Sequence, residues 1–332
     1  MTSDPPLTDW PALHGDAFRG RKAFVTGGAG FIGSHLCEAL FRLGASVVVL
    51  DDLTGGNVAN LRHLTGVHFI RGSILDTDLL ARCIQGSELV FHQAALGSVP
   101  ASVDRPRRFF DVNVAGTLNV LEAAKLAGAK RVMFAASSSA YGDSEVLPKV
   151  ETMTPMPKSP YAATKVAGEA MMRAWAGSYG IDTVSLRYFN IFGPRQNANS
   201  AYAAVIAAFA KALLSGNNPQ IYGDGSQSRD FTYVDNAVHA NLLAARALQP
   251  LNGETMNIAC GVRVTVAELA ATMAGMLDRP DLVAVHHPDR AGDVKHSLAD
   301  LSLARRLLGY SPTVSFEAGL KATAAWYKRD VG

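Results

Sequence analysis

Tyr161 and Lys165 stand four residues apart in the run SPYAATK (residues 159–165). A helix that starts there, capped by Ser159 with Pro160 in its first turn, projects both side chains from one face. A phenol with a pKa of about 10 is a poor base at neutral pH, but a neighbouring ammonium stabilises its phenolate. Such a pair can take a proton from a substrate hydroxyl. A second polar run, SSSAYG (residues 137–142), follows an apolar stretch and offers the hydroxyls of Ser137, Ser138 and Ser139. One of these can hydrogen-bond a reacting oxygen and relay its proton to Tyr161. The third run, TGGAGFIGS (residues 26–34), places glycines at 27, 30 and 33. Gly27 and Gly30 let a backbone turn and approach a pyrophosphate, Gly33 lets a helix pack on its strand, and the helix N-terminus supplies N–H donors. Asp51 lies 18 residues beyond Gly33, at the end of the next apolar run. A carboxylate there accepts both hydroxyls of an adenosine ribose and repels a 2′-phosphate, so NAD is preferred to NADP; Asp52 is the alternative acid.

These groups need a frame to hold them. Residues 22–26, 46–50, 67–70, 89–92 and 131–135 are short apolar or β-branched runs, continuous rather than alternating, as strands of a parallel sheet covered on both faces should be. Stretches with helical spacing separate them, including residues 32–43 and residues 118–127 before Gly128. Strand and helix in alternation predict an α/β fold, a doubly wound parallel sheet. From about Tyr188 glycines and prolines break the pattern and one long helix, at about residues 202–214, stands out, which predicts a smaller mixed substrate domain. Residues 1–20 carry three prolines and no apolar period, which predicts a loosely ordered extension.

Composition bounds the function classes. A chain of 332 residues predicts about two domains. With 48% apolar and 18% charged residues, 31 Lys+Arg against 29 Asp+Glu and a net charge of +2, it is globular in composition and has no basic block to bind nucleic acid. The longest apolar stretch, residues 201–214, is interrupted by Lys211 and falls short of the about 20 residues of a membrane span. Residues 1–20 lack a signal-peptide pattern, and Cys37, Cys83 and Cys260 are odd in number and far apart, which together predict a cytoplasmic protein. No Cys/His spacing suggests a metal site.

Through residues 26–33, Asp51, HQAA (92–95), the serine run, Tyr161/Lys165 and RYFN (187–190), the chain resembles the extended short-chain dehydrogenase/reductases. Within them it resembles the UDP-hexose 4-epimerases, most of all the bacterial group that prefers N-acetylated UDP-hexosamines. The more specific runs are QAALGSVP (93–100), AASSSAYGD (135–143), AYAAVI (201–206), GDG (223–225) with SRDF (228–231), and GDVKHSLAD (292–300). The resemblance spans residues from about 21 onward. It implies an NAD-binding Rossmann domain over residues 21–187 with a return segment near 231–258, and a mainly substrate-binding domain over 188–332. It implies cofactor contacts from Gly27, Gly30, Phe31, Ile32, Gly33, Asp51, Asp52, Ser73, Ile74, Gln93, Ala94, Ala95, Tyr161 and Lys165. Ser137, Tyr161 and Lys165 become the catalytic set, with Ser138 and Ser139 in support. Asn190 matches a residue that binds substrate phosphate or sugar, Arg229 and Arg290 a clamp on the UDP diphosphate, Tyr222 an aromatic beside uracil, and Asp293 a group near the ribose. Val205 belongs to the same substrate wall. Ser297 stands where relatives often carry a bulky side chain, and with Gly97 and Ala204 it would leave room for a 2-acetamido group.

The chain also departs from that pattern. Ser73 replaces the acid that usually reaches the adenine, Ala207 replaces a common proline, and Asn199-Ser200-Ala201 replaces Asn-Gly-Ala. The reaction implied is C4 epimerisation of a UDP-N-acetylhexosamine, or of a modified or uronic form, through a transient 4-keto sugar. The alternatives are a nucleotide-sugar 4,6-dehydratase or decarboxylase and a non-catalytic NAD-sensing protein. Dehydratases usually carry Asp-Glu where Ser138 and Ser139 stand. A homodimer formed partly through the helix at 161–179 and a role in surface polysaccharide such as O-antigen are further implications.

Overall fold

In a computed structural model, which describes residues 7–198, 204–288 and 295–330, the apolar runs of the first half pair side by side. The strands are β1 (Lys22–Thr26), β2 (Ser46–Asp51), β3 (Val67–Arg71), β4 (Leu89–His92), β5 (Arg131–Ser137), β6 (Asp182–Tyr188), β7 (Ile191–Phe192), β8 (Gln220–Tyr222), β9 (Ser228–Arg229), β10 (Thr232–Tyr233), β11 (Glu254–Ile258), β12 (Val264–Thr265) and β13 (Val285–His287). Seven form one sheet in the order β11-β6-β5-β4-β1-β2-β3. Every neighbouring pair in it is parallel. The order reverses between β1 and β4, where an open parallel sheet splits its crossing helices to opposite faces and leaves a crevice. Thr26, Asp51, His92, Ser137 and Tyr188 all end their strands at this carboxyl edge.

The helices are α1 (Trp10–His14), α2 (Phe31–Arg42), α3 (Thr77–Cys83), α4 (Val99–Asp104), α5 (Pro106–Phe110), α6 (Gly116–Leu126), α7 (Pro160–Tyr179), α8 (Val205–Leu214), α9 (Val234–Arg246), α10 (Val266–Met276), α11 (Ser302–Leu308) and α12 (Phe316–Asp330). Alternation of side chains along each strand divides the sheet between two cores. Val25, Val49, Phe91, Met133 and Leu186 pack with Leu36 and Leu40 of α2 and Ala237 and Ala240 of α9. Phe24, Leu50, Val90, Val132 and Phe134 pack on the other face with Leu80, Val120, Leu121 and Met172. A third core, around Phe192, Phe209, Leu213, Phe231, Leu269, Met273 and Tyr327, binds α8, α10 and α12 to one another. Full burial of each such side chain contributes about 1.5–3 kcal/mol.

Three sequence expectations change, and a fourth falls partly outside the described residues. β6 and β11 are two further strands of the sheet, and β3, at its edge, is only half covered, with His68 and Arg71 exposed. The helix expected at about 202–214 is described from Val205; Tyr202 lies outside the described residues. Residues 7–20 are not loosely ordered. Asp9 caps α1 by accepting from the Ala12 N–H at 3.1 Å, and Trp10, His14 and Phe18 bury themselves against the α2 and α9 face. His14 Nε2 lies 3.1 Å from His239 Nδ1 of α9, so the segment docks by polar as well as apolar contact. Among the described residues no helix is long and apolar enough to cross a membrane.

Candidate active site

The glycine run forms a tight turn before α2 in which side chains have no room. Gly27 adopts φ +70°, and a Cβ there would meet the Ala94 backbone at 2.6 Å. A Cβ on Gly33 would lie 2.2 Å from the Gly27 carbonyl oxygen, so α2 can pack this closely on β1 only through glycine. Gly30 caps α2 without a side-chain hydrogen bond, leaving first-turn N–H groups available to an anion. Asp51 Oδ2 accepts the Ala29 N–H at 2.9 Å and Oδ1 the Leu53 N–H at 2.8 Å. A carboxylate has about four acceptor sites, so both oxygens still have capacity for ribose hydroxyls. Burial raises the Asp51 pKa, while those N–H donors hold it down. Asp52 is exposed and accepts the N–H of Thr54 at 2.8 Å in a local turn, so Asp51 rather than Asp52 faces the cradle. These features fit a bound dinucleotide such as NAD.

The other expected cofactor residues divide. Phe31 and Ile32 form the first turn of α2 and pack partly against the third core. Ala94 donates its N–H to Thr26 Oγ1 at 3.3 Å and, with half-buried Ala95, continues β4 over the cradle. Gln93 turns away, donating to Asn241 Oδ1 at 3.2 Å and accepting from the Tyr188 hydroxyl at 3.3 Å. Ile74 is buried in the core, and Ser73 accepts the Leu75 N–H at 3.2 Å. His92 bridges Thr26 and Thr117 hydroxyls at 2.8 and 2.9 Å, and burial pushes its pKa down to about 3, so it braces the crevice as a neutral ring.

The residues expected to transfer a proton lie on β5 and α7. Ser159 accepts the Ala162 N–H at 3.1 Å and Pro160 occupies the first turn, which starts α7 where its sequence requires. Tyr161 is half-buried, with Ser137 near enough to act on the ionisation of its phenol. Burial raises the Tyr161 pKa and the Ser137 contact opposes it. Ser137 Oγ accepts both the N–H and the hydroxyl of Ser139, at 3.2 and 2.9 Å. With its acceptor sites so engaged, the Ser137 proton is left to be donated outward. Lys165 is 4% exposed and donates to the Ala135 carbonyl at 2.7 Å, with Nζ 5.9 Å from the Tyr161 ring centroid. Burial pushes its pKa down to about 8, and Glu169, one turn further along α7, opposes the fall.

Two supports were not among the sequence candidates. Asn113, in a π-helical turn (Asp111–Ala115) between α5 and α6, accepts the Leu96 N–H at 2.8 Å. It also donates to the Leu96 carbonyl at 3.1 Å and to Thr164 Oγ1 at 3.0 Å, tying the loop after β4 to α7 beside Lys165. Glu169 receives Arg187 of β6 in a fork at 2.8 and 2.7 Å, both side chains being buried. A polar residue inside an apolar helical run was the available signal for Asn113. For Glu169 it was the four-residue step from Lys165.

A cavity of about 1210 Å³ opens beside this edge and is lined by Asn190, Ala204, Val205, Tyr222 and Arg229 among others. Asn190 lies two residues past Tyr188, which pairs with Ser137, so the chain runs from beside the serine turn to the cavity wall within two residues. Asn190 has φ +40° and donates to the Asp230 carbonyl at 3.1 Å and to Ser297 Oγ at 3.3 Å. Arg229 donates to the Ser228 and Lys295 carbonyls, both at 3.1 Å, and Tyr222 packs against His287 with ring centroids 5.3 Å apart. Ser138 and Ser139 sit in the turn, Ser297 is buried, and Gly97 lines a separate recess of about 250 Å³ rather than the large cavity. Arg290 and Asp293 lie outside the described residues.

Comparison with known proteins adds to this geometry. Residues 23–259 match the NAD dependent epimerase/dehydratase family. The chain is 39% identical over 313 residues to the UDP-glucose 4-epimerase of Mycolicibacterium smegmatis, covering 92% of this chain and 98% of that protein. It is 33% identical to a UDP-N-acetyl-alpha-D-glucosaminuronate decarboxylase of Bacillus cytotoxicus, over 93% of this chain and 98% of that one. The UDP-N-acetylglucosamine 4-epimerase of Methanobrevibacter ruminantium, solved with UDP-N-acetylmuramic acid, superposes with a TM-score of 0.89 at 39% identity, covering 94% of this chain and 99% of that chain. With a dinucleotide cradle at the switch point of a parallel sheet and a Ser/Tyr/Lys set beside it, the chain belongs to the NAD-dependent epimerase/dehydratase family.

Proposed function

We propose that the protein inverts C4 of a UDP-linked N-acetylhexosamine, interconverting UDP-GlcNAc and UDP-GalNAc or a modified or uronic form. The observation that carries this reading is the grouping of Ser137 at the end of β5 with Tyr161 and Lys165 on α7, Lys165 Nζ lying 5.9 Å from the Tyr161 ring centroid, together with a cavity lined by Asn190 and Arg229. NAD, held by residues 27–33 and Asp51, supplies a hydride acceptor and donor that ends each turnover unchanged. Tyr161, as phenolate, takes the 4-hydroxyl proton directly or through Ser137, and a 4-keto sugar results. Lys165 stabilises the phenolate by its charge. Arg229 and the clamp residues hold the diphosphate, so the sugar can rotate and present its other face, after which Tyr161 returns the proton. Net redox change is zero.

The buried Ser297 accepts a hydrogen bond from the cavity-lining Asn190, and its small side chain behind that residue supports a 2-acetamido substrate. A larger pocket still admits the smaller sugar, because a missing contact costs about 1–3 kcal/mol whereas a clash excludes. A 4,6-dehydratase needs a base at C5 and an acid at C6; the serine turn offers no carboxylate, and Ser139 is committed to Ser137. A homodimer through α7, a cytoplasmic location and supply of hexosamine for surface polysaccharide complete the proposal. Tyr161→Phe tests it. Its turnover should fall by about 10²–10⁴-fold with UDP affinity and bound NAD retained, and normal turnover would remove Tyr161 as the base.

A further inference from the structure

Asp230 lies between Arg229 and Phe231, with its side chain wholly inside the protein. Oδ1 accepts the N–H groups of Cys260 at 3.1 Å and Gly261 at 3.2 Å. Oδ2 accepts those of Gly261 at 3.1 Å and Ala299 at 3.2 Å. These partners are backbone amides from two separate chain segments, one following β11 and one following Ser297. Burial pushes the Asp230 pKa up to about 6, and the amide donors oppose it. The Asp230 backbone meets the second of these segments again and reaches a third. Its N–H donates to Ser297 Oγ at 3.4 Å, and its carbonyl accepts from Asn190 Nδ2 at 3.1 Å. Asn190 holds a left-handed backbone conformation at φ +40°, which costs energy unless its surroundings fix it.

We propose that Asp230 is the positioning residue of the nucleotide-sugar site. Its carboxylate fastens residues 260–261 and 299 to the β9 segment, so that Arg229, Asn190 and Ser297 stand in place before substrate arrives. The proposal rests on reading the 1210 Å³ cavity as the UDP-sugar site. A carboxylate is required because amide donors face both oxygens. An asparagine of the same shape can accept on one oxygen only, and its NH₂ would point at another donor. Preorganisation of this kind governs how tightly substrate is held; it does not alter the proton transfer at Tyr161.

The test compares Asp230→Asn with the wild type in three measurements: NAD content of the purified protein, UDP affinity by calorimetry, and KM and kcat with UDP-GlcNAc. The expected result is NAD content unchanged, KM and the UDP dissociation constant raised roughly 10- to 100-fold, and kcat at saturation within about threefold, since the lost interactions concern binding. Unchanged KM and UDP affinity in the variant, beside a wild type that binds UDP, would overturn the role of Asp230. A fall in kcat at unchanged KM would overturn it as well. A wild type that binds no UDP would overturn the reading of the cavity itself, and the two failures are thereby distinct. Should the variant not fold, amide exchange in the wild type decides. Amides 260, 261 and 299 should be protected before UDP is added, and protection that arises only with UDP would contradict preorganisation.

Discussion

Replacing Glu169 with Gln removes one charge from a buried fork while keeping its shape. Glu169 and Arg187 are almost fully covered, and the two N–H···O contacts are 2.8 and 2.7 Å long. Arg187 Nη1 already lacks a hydrogen-bond partner, the guanidinium faces the Tyr141 ring at 4.7 Å, and Glu151 acts on it only through space, without a hydrogen bond. Removing one member of such a pair costs about 3–5 kcal/mol, because the remaining charge stays buried. The same change acts on Lys165. Burial holds its pKa near 8 and Glu169 opposes the fall, so loss of the carboxylate moves that pKa lower and leaves less ammonium at pH 7–8 to support the Tyr161 phenolate. Denaturant unfolding should therefore report a loss of about 3–5 kcal/mol, and the alkaline limb of kcat against pH should shift toward acid. A double variant with apolar residues at 169 and 187 should recover much of the stability, since no charge is then stranded. E169Q losing less than about 1 kcal/mol with an unmoved alkaline limb would refute both parts of the reasoning.

Two further substitutions address the cradle and the sugar pocket. Gly33→Ala places a Cβ 2.2 Å from the Gly27 carbonyl oxygen, so the purified variant should retain little NAD by absorbance and melt earlier; wild-type NAD content would show the loop has room to spare. Ser297→Tyr puts a bulky side chain behind the cavity-lining Asn190, and kcat/KM for UDP-GlcNAc should drop by at least about tenfold more than for UDP-glucose, where equal losses would sever Ser297 from selection of the acetamido group.

Much of this arrangement was legible in the residues because it is local. The glycine run, the Ser159 cap and the Tyr161/Lys165 step each sit within one turn or one helix, so spacing alone fixes their geometry. Asp51 was legible for a related reason: a parallel strand has a predictable length, and the acid ends it. β6 escaped because residues 182–188 mix Asp, Thr, Ser and Arg with apolar positions; Arg187 is buried only because Glu169 receives it from another element. Residues 7–20 were misjudged from their prolines, since nothing local reveals that Trp10, His14 and Phe18 meet α2 and α9. Asp230 shows the same limit. Its amide partners lie 30 to 69 residues away, and only the folded chain brings them to one carboxylate.

The central claim concerns what happens at C4, and product analysis addresses it most directly. Purified protein, with no cofactor added, would be incubated with UDP-GlcNAc, UDP-Glc and their uronic acids and followed by NMR. A C4 epimer should form, fastest from an acetamido sugar, with no net oxidation. A 4-keto-6-deoxy product, a pentose, or no conversion of any of the four would contradict it.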